Sequence, residues 1–121
     1  MSDRPETVAV VLVTYNRADL LERSLAALVA QTRPPDAVIV VDNASTDHTT
    51  EVLDAATNPG LRRIHLEDNT GGAGGFHAGM SAAHEQGFDR IWLMDDDVLA
   101  DPDCLEVLLR HDLPCLMAVR E

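Results

Sequence analysis

The hydrophobic residues of the chain fall into short continuous runs separated by longer amphipathic stretches. Val8–Val13 and Ala37–Val41 are continuous and rich in β-branched residues, a pattern typical of central parallel strands buried on both faces. Between them, Leu20–Gln31 has apolar residues at every third or fourth position, which predicts a helix. This stretch therefore predicts a strand–helix–strand unit.

The same alternation continues along the rest of the sequence. A helix is predicted over 46–57 with Ser45 or Thr46 as its cap, followed by a weaker strand over 61–66. A glycine-rich segment, Asn69–Gly79, runs into a helix of small residues, and its first part, Asn69–Phe76, is predicted to be a flexible loop. The remaining predicted elements are a strand over 90–94, a helix opened by Asp101 and Pro102, and a fifth strand within 113–119.

Alternating strands and helices at this spacing predict a three-layer α/β fold with a mostly parallel sheet. No repeat, low-complexity tract or linker interrupts the sequence, so we expect a single domain over residues 1–121. Ligands of such sheets bind outside the carboxyl ends of the strands. Polar clusters follow three of the predicted strands at that edge: Thr14–Arg17, Asp42–Asn43 and Asp95–Asp97.

Composition narrows the ligands that this edge can bind. Nine Lys and Arg residues against 21 Asp and Glu residues give a net charge of −12, and aromatic residues make up only 3% of the chain. Because the chain has neither a basic composition nor a set of stacking platforms, we expect no nucleic-acid partner. A nucleotide remains a candidate ligand, but its phosphates need a cation or backbone N–H donors here.

Location is predicted from the character of the apolar segments and the cysteines. No signal-peptide pattern is found near Met1, and the longest apolar run, Val8–Val13, is too short to span a bilayer. Cys104 and Cys115 have no metal-type spacing and are expected to be buried thiols in a reducing compartment. We therefore expect a cytoplasmic protein without a transmembrane segment, and contact with the inner face of a membrane stays open.

Three consecutive aspartates at the end of a strand repel one another unless a cation neutralises them. In an extended stretch, Asp95 and Asp97 point to the same side and Asp96 to the opposite side or toward a neighbouring group. Two carboxylates on one side suit Mg²⁺ or Mn²⁺, which prefer oxygen ligands. The alternative is a solvated acidic turn whose carboxylates cap the following segment.

Two further segments are open to both a ligand-binding and a structural interpretation. Asp42 ends an apolar strand, where a carboxylate serves as a cap or as an acceptor for a ligand, and residues 43–47 are good turn formers. The segment from Asn69 lacks the lysine of a P-loop and has His77 where a dinucleotide fingerprint needs glycine. It could donate backbone N–H groups to an anion or sugar, or pack closely on the sheet. The five histidines lack ligand-like spacing and are predicted to be surface or packing residues.

Four motifs occur in a characteristic order: Val11–Arg17, Val41–Asp47, Asn69–Gly75 and Asp95–Asp97. Together they resemble the family 2 glycosyltransferases with the GT-A fold, most of all the branch with bacterial galactofuranosyltransferases and rhamnosyltransferases. The resemblance implies a Rossmann-like topology that binds a UDP- or dTDP-sugar donor, with Mn²⁺ or Mg²⁺ as cofactor.

The resemblance also implies a role for each matching position. Thr14 and Tyr15 would line the base pocket, and Asp42 would accept from the base N3–H. Asp95 would lie near the ribose and metal, and Asp97 would be the principal metal ligand. The implied nucleotide-sugar-binding set is Thr14, Tyr15, Asn16, Arg17, Asp42, Asn69, Gly71, Gly72, Gly74, Asp95 and Asp96, with Asp95 and Asp97 as metal ligands.

The implied reaction transfers the sugar to a hydroxyl of a glycan or lipid-linked acceptor in cell-wall or surface polysaccharide synthesis. Arg17 would approach the diphosphate, and Asn69 with the glycines after it would shape the wall around diphosphate and sugar. The metal would act as a Lewis acid, while a carboxylate base would assist the acceptor hydroxyl.

In this family the base lies with the acceptor-binding half, and no convincing base is found among the 121 residues. We therefore expect a chain truncated to the donor half, whose exposed sheet edge could drive homo-oligomer formation. One alternative is a non-catalytic nucleotide-sugar-binding or interaction module of the same fold. Another is a phosphatase-type enzyme, which would need its aspartate pair after the first strand rather than the fourth.

Overall fold

A computed structural model describes residues 7–96, 102–109 and 115–117 of the chain. Strands and helices alternate within these ranges, as the hydrophobic pattern predicts. The elements are β1 (Val8–Thr14), α1 (Ala18–Val29), β2 (Ala37–Asp42), α2 (Thr49–Ala55), β3 (Leu61–His65), α3 (Gly71–Glu85), β4 (Arg90–Asp95), α4 (Cys104–Leu109) and β5 (Cys115–Met117). Each helix that these ranges contain is too short or too polar to cross a membrane.

The strands form one sheet in the order β3-β2-β1-β4-β5, and each described pairing is parallel. The prediction of a mostly parallel α/β sheet is therefore confirmed. The register pairs Thr14 with Asp42 and Val13 with Asp95. Because the strands run in one direction, the polar residues that end β1, β2 and β4 meet at the same edge.

Helices cover both faces of the sheet, which gives the predicted three layers. Alternate residues of β1, β2 and β4, such as Leu12 and Trp92, are buried together with α1, α2 and Leu105 of α4. The intervening residues, such as Val11 and Ile39, are buried on the other face with side chains of α3. Both faces of the central strands are thus apolar, which explains why these strands read as continuous hydrophobic runs.

The glycine-rich segment is mostly helix, so the prediction of a flexible loop over residues 69–76 is wrong from Gly71 onward. The helix α3 begins at Gly71 and packs on the sheet through its glycines. A β-carbon at Gly75 would lie 2.6 Å from Val13 Cγ1, and one at Gly79 would overlap Val11 Cγ1. Tertiary packing therefore outweighs the low helix propensity of glycine, because only a residue without a side chain allows this close approach.

The boundaries of the first two helices also differ from the predicted ones. The helix α2 begins at Thr49 rather than at 46, and the loop before it is held by Asn16 Oδ1, which accepts from the backbone N–H groups of Thr46 and Asp47. Ser45 and Thr46 are thus not its caps. The helix α1 begins at Ala18, two residues earlier than predicted, where the Ala18 N–H donates to the Asp47 carboxylate over 3.2 Å. The predicted cap of the last helix, Asp101, lies outside the described residues.

Candidate functional site

A cleft of about 270 Å³ opens at the carboxyl edge of the sheet. The segments after β1 and β4 form one wall, and the turn of residues 69–72 at the start of α3 forms the other. Seven of the predicted binding residues line this cleft, together with Val13 and Asn43. The seven are Thr14, Tyr15, Arg17, Asn69, Gly71, Gly72 and Asp96.

Asp96 supports the first wall of the cleft from within. Its side chain is 6% exposed, and its carboxylate accepts a hydrogen bond from Thr14 Oγ1 at 2.9 Å and pairs with Arg17 Nη1 at 3.4 Å. Its backbone carbonyl accepts a further hydrogen bond, at 2.8 Å, from the hydroxyl of Ser24 in α1. The middle aspartate of the triplet is thus turned toward β1 and α1. Arg17, 54% exposed, places a positive charge at the cleft in a chain of net charge −12.

The second wall is the turn of residues 69–72, which is held by Asn43. Gly71 has a φ of +75°, a left-handed conformation that glycine adopts without strain, and its N–H donates to Asn69 Oδ1 at 2.8 Å. The buried Asn43 amide accepts from the Thr70 N–H at 2.8 Å and donates to the Gly71 carbonyl at 2.9 Å. The turn is therefore held by one hydrogen bond within it and by two hydrogen bonds from Asn43 at the end of β2.

Asp42 lies outside this cleft, in a neighbouring cavity of about 240 Å³ beside α2 and β3. Its carboxylate is 5% exposed and accepts a hydrogen bond from the Ser45 N–H at 2.9 Å. The other carboxylate oxygen lies 3.3 Å from His65 Nδ1. The predicted residues are thus divided between two cavities that flank the end of β2.

Two other predicted residues, Asn16 and Gly74, make contacts within the protein and do not line the cleft. The Asn16 side chain accepts from the backbone N–H groups of Thr46 and Asp47, so it ties the loop after β1 to the loop after β2. A β-carbon at Gly74 would lie 2.5 Å from the Thr70 side chain, so this glycine serves packing at the start of α3. Neither residue is among those that line the cleft.

The Asp47 carboxylate also links the two loops, and the hydrogen bonds that it accepts change its pKa. Burial raises the pKa of Asp47, but hydrogen bonds from the Thr49 side chain, the Ala18 N–H and the Thr49 N–H lower it, as does the nearby His48. The lowering contributions outweigh the desolvation, so the pKa lies below its usual value. The charged form of Asp47 therefore stabilises this loop pair.

One of the two predicted metal ligands, Asp95, lies at the carboxyl edge beside the cleft and is not among the residues that line it. This residue ends β4 as the register partner of Val13, which lines the cleft. It is exposed, and no described hydrogen bond or ion pair engages its carboxylate. An uncommitted carboxylate is a suitable ligand for Mn²⁺ or Mg²⁺. The other predicted ligand, Asp97, lies outside the described residues, and the described ranges hold no group of three or more His, Cys, Asp or Glu side chains that could hold a metal ion.

Two residues that the structure places at the site were not predicted to belong to it. Asn43 was interpreted as a turn former, although its position directly after the buried strand β2 is a signal for the carboxyl edge. His65 was assigned to the surface or to packing, but it ends β3 as the register partner of Asp42. That register follows from strand pairing, so no local sequence pattern reveals it.

A parallel α/β sheet with a polar cleft at its carboxyl edge, lined by one arginine and one aspartate, is the arrangement of a doubly wound fold, in which ligands bind at this edge. The chain belongs to the glycosyl transferase family 2, whose family model matches residues 9–112. The resemblance of its four motifs to this family is thus confirmed.

Among curated relatives, the galactofuranosyltransferase GlfT1 of Mycolicibacterium smegmatis is 45% identical over 107 residues. That match covers 86% of this chain but 34% of the relative. The chain therefore spans about a third of the length of this relative. The expected likeness to the galactofuranosyltransferase branch is confirmed.

Solved structures confirm the GT-A fold. The mannosyltransferase PcManGT of Pyrobaculum calidifontis, in complex with GDP-Man and Mn²⁺, is 28% identical with a TM-score of 0.75, over 89% of this chain and 32% of its own. Staphylococcus aureus TarS in complex with UDP has the same TM-score at 24% identity, over 86% of this chain and 31% of its own.

Proposed function

We propose that the chain is the donor-binding domain of a glycosyltransferase that uses a UDP- or dTDP-sugar and Mn²⁺ or Mg²⁺. The enzyme would transfer the sugar to a hydroxyl of a glycan or lipid-linked acceptor in cell-wall or surface polysaccharide synthesis. One observation carries this proposal: residues from separate segments, predicted from the family motifs, meet in one cleft at the carboxyl edge.

The diphosphate is assigned to the cleft because Arg17 supplies a cation there. A net charge of −12 repels an anionic ligand, whereas the Arg17–Asp96 pair makes the cleft locally neutral and leaves the guanidinium of Arg17 to donate N–H groups to phosphate oxygens. Asp96 orients Arg17 through their ion pair. The turn of residues 69–72 adds a wall with little side-chain bulk, since a β-carbon at Gly72 would meet no atom within 4 Å.

The base is assigned to the end of β2, between Tyr15 and Asp42. The Tyr15 side chain is exposed and lines the cleft, so its ring is accessible for stacking. The Asp42 carboxylate has one hydrogen-bond donor at one oxygen and His65 at the other. Because a carboxylate has about four lone-pair sites, it retains capacity to accept the N3–H of uracil or thymine.

Asp95 and Asp97 are proposed as the ligands of the divalent ion. A bound ion would stabilise the negative charge that develops on the departing diphosphate. The complex of PcManGT with GDP-Man and Mn²⁺ supports a donor held with a metal in this fold. We assign no residue of this chain as the base that accepts the proton of the acceptor hydroxyl.

Calorimetric titration of the 121-residue chain with UDP and with dTDP, in Mn²⁺ and in EDTA, tests this proposal. We expect binding in Mn²⁺ and at least about tenfold weaker binding in EDTA, a loss of about 1.4 kcal/mol. Asp95→Asn should cause a similar loss in Mn²⁺ because it removes one anionic ligand of the ion.

Glu85→Gln is the matched control, since Glu85 is an exposed carboxylate at the other end of α3 and its substitution changes the net charge equally. It should leave UDP affinity unchanged. Folded protein that binds neither nucleotide, or binds them irrespective of metal and of Asp95, would contradict the proposed function.

A further inference from the structure

Asn43 contacts both walls of the cleft from a buried position at the end of β2. It is 2% exposed. Its backbone N–H donates to the Thr14 carbonyl at 2.9 Å, which joins it to the wall formed after β1. Its side-chain amide holds the opposite wall, with Oδ1 accepting from the Thr70 N–H and hydroxyl and Nδ2 donating to the Gly71 carbonyl.

We propose that Asn43 is a positioning residue of the donor site, which sets the spacing of the two walls and thereby the affinity for the nucleotide diphosphate. This inference rests on the proposed function of the cleft. It assigns to Asn43 a role that acts through the turn of residues 69–72, where Asn69, Gly71 and Gly72 line the cleft.

The chemistry of the side chain explains why asparagine suits this position. Thr70 presents a donor and Gly71 an acceptor, so the side chain must accept and donate at once. A carboxylate has no donor, an aliphatic side chain has neither group, and only a side-chain amide of this length has both. Gly71, with its φ of +75°, sits in a sharp turn whose place is fixed by these two bonds and by Asn69.

A second buried asparagine, Asn58, serves as the control that distinguishes this positioning role from a general contribution to stability. Asn58 is 8% exposed, and its Nδ2 donates to the Leu25 carbonyl at 2.9 Å, the same length as the Asn43–Gly71 bond. It precedes β3 at the amino edge of the sheet and ties that loop to α1. The two residues thus have similar burial and chemistry, but only Asn43 lies at the cleft.

The experiment compares Asn43→Ala with Asn58→Ala in the full chain. UDP affinity in Mn²⁺ is measured by calorimetry, unfolding by chemical denaturation, and amide hydrogen exchange by mass spectrometry. We expect both variants to lose stability, but only Asn43→Ala to bind UDP about tenfold more weakly. Exchange should accelerate in the peptide that contains Thr70 and Gly71 in Asn43→Ala and not in Asn58→Ala.

Asn43→Ser is a second variant should the alanine variant not fold. Its hydroxyl keeps one polar group at the buried position but is too short to hold both Thr70 and Gly71, so it should show the same weakened binding. UDP affinity unchanged in a folded Asn43 variant, or weakened equally in Asn58→Ala, would overturn the positioning role. Failure of the unsubstituted chain to bind UDP would instead contradict the proposed function on which this role rests.

Discussion

Single polar residues at the carboxyl edge divide into those that face the cleft and those that hold loops together. Tyr15 and Arg17 line the cleft with exposed side chains. Asn16 and Asp47 instead accept backbone hydrogen bonds between the loops after β1 and β2. Both groups have the residue types that favour turns and caps. Residue type alone therefore could not separate positions that line the cleft from positions that hold the loops together.

Asp47 leads to a prediction about the pH dependence of stability. Because its pKa is lowered in the folded chain, its charge stabilises the fold above the unfolded pKa of about 3.9. That contribution is lost as the pH falls through the folded pKa. Because Asp47 is exposed and solvent screens its charge, Asp47→Asn should lower the free energy of unfolding by only about 0.5 kcal/mol at pH 7, and the difference from the unsubstituted chain should shrink toward pH 3. Denaturation curves at both pH values measure it.

Asp68→Asn is the control for this prediction. Asp68 is exposed and, within the described ranges, no hydrogen bond engages its carboxylate. Its substitution makes the same change in net charge but should alter stability little at either pH. A loss for Asp47→Asn that persists undiminished at pH 3 would show that the amide disturbs the loops sterically and that ionisation is not the cause.

At the scale of whole elements, the strands were easier to predict than the helices. Continuous β-branched runs identified β1 and β2 because burial on both faces removes any polar alternation. The loop before α2 is held by Asn16, 30 residues before Thr46, which accepts the N–H groups of residues 46 and 47, and no local sequence pattern reveals this contact. The glycine segment is helical because its glycines approach β1 closely. The helix propensity of the individual residues contains no information about that tertiary contact.

The close packing of α3 on the sheet predicts a large effect for one methyl group. In Gly79→Ala the added β-carbon would overlap Val11 Cγ1 and lie 3.1 Å from Val41 Cγ2, so α3 must shift from the sheet. Overpacking costs about 1–3 kcal/mol, which outweighs the gain of about 0.5–1 kcal/mol from replacing a helical glycine. We expect a net loss of stability in urea denaturation.

Gly72→Ala provides the matched comparison within the same helix. A β-carbon there would meet no atom within 4 Å, so only the gain in helix propensity remains, and stability should be unchanged or slightly higher. Equal effects of the two alanine variants would show that the helix does not depend on close approach to β1.

For the molecule as a whole, strand–helix alternation was enough to predict the layers and the sheet edge at which the cleft lies. It could not predict that the candidate residues divide into two cavities. That division depends on the side of the sheet to which each side chain points and on the pairing of β2 with β3, which places His65 beside Asp42. Both are properties of the assembled sheet rather than of any one segment.

The charge of the whole chain leads to the last prediction, which concerns joint stabilisation by metal and nucleotide. At a net charge of −12, UDP alone is repelled, and Mn²⁺ alone would lack the diphosphate oxygens that complete its coordination. Only the two together should occupy the cleft and stabilise the folded state, by about 2.7 kcal/mol at 100 times the dissociation constant. For a chain of this size that corresponds to a rise in melting temperature of roughly 10 °C.

Thermal melts with each component alone and with both, for the unsubstituted chain and for Asp95→Asn, measure this rise. A shift from Mn²⁺ alone as large as from both, or one retained in Asp95→Asn, would contradict a shared site at this edge.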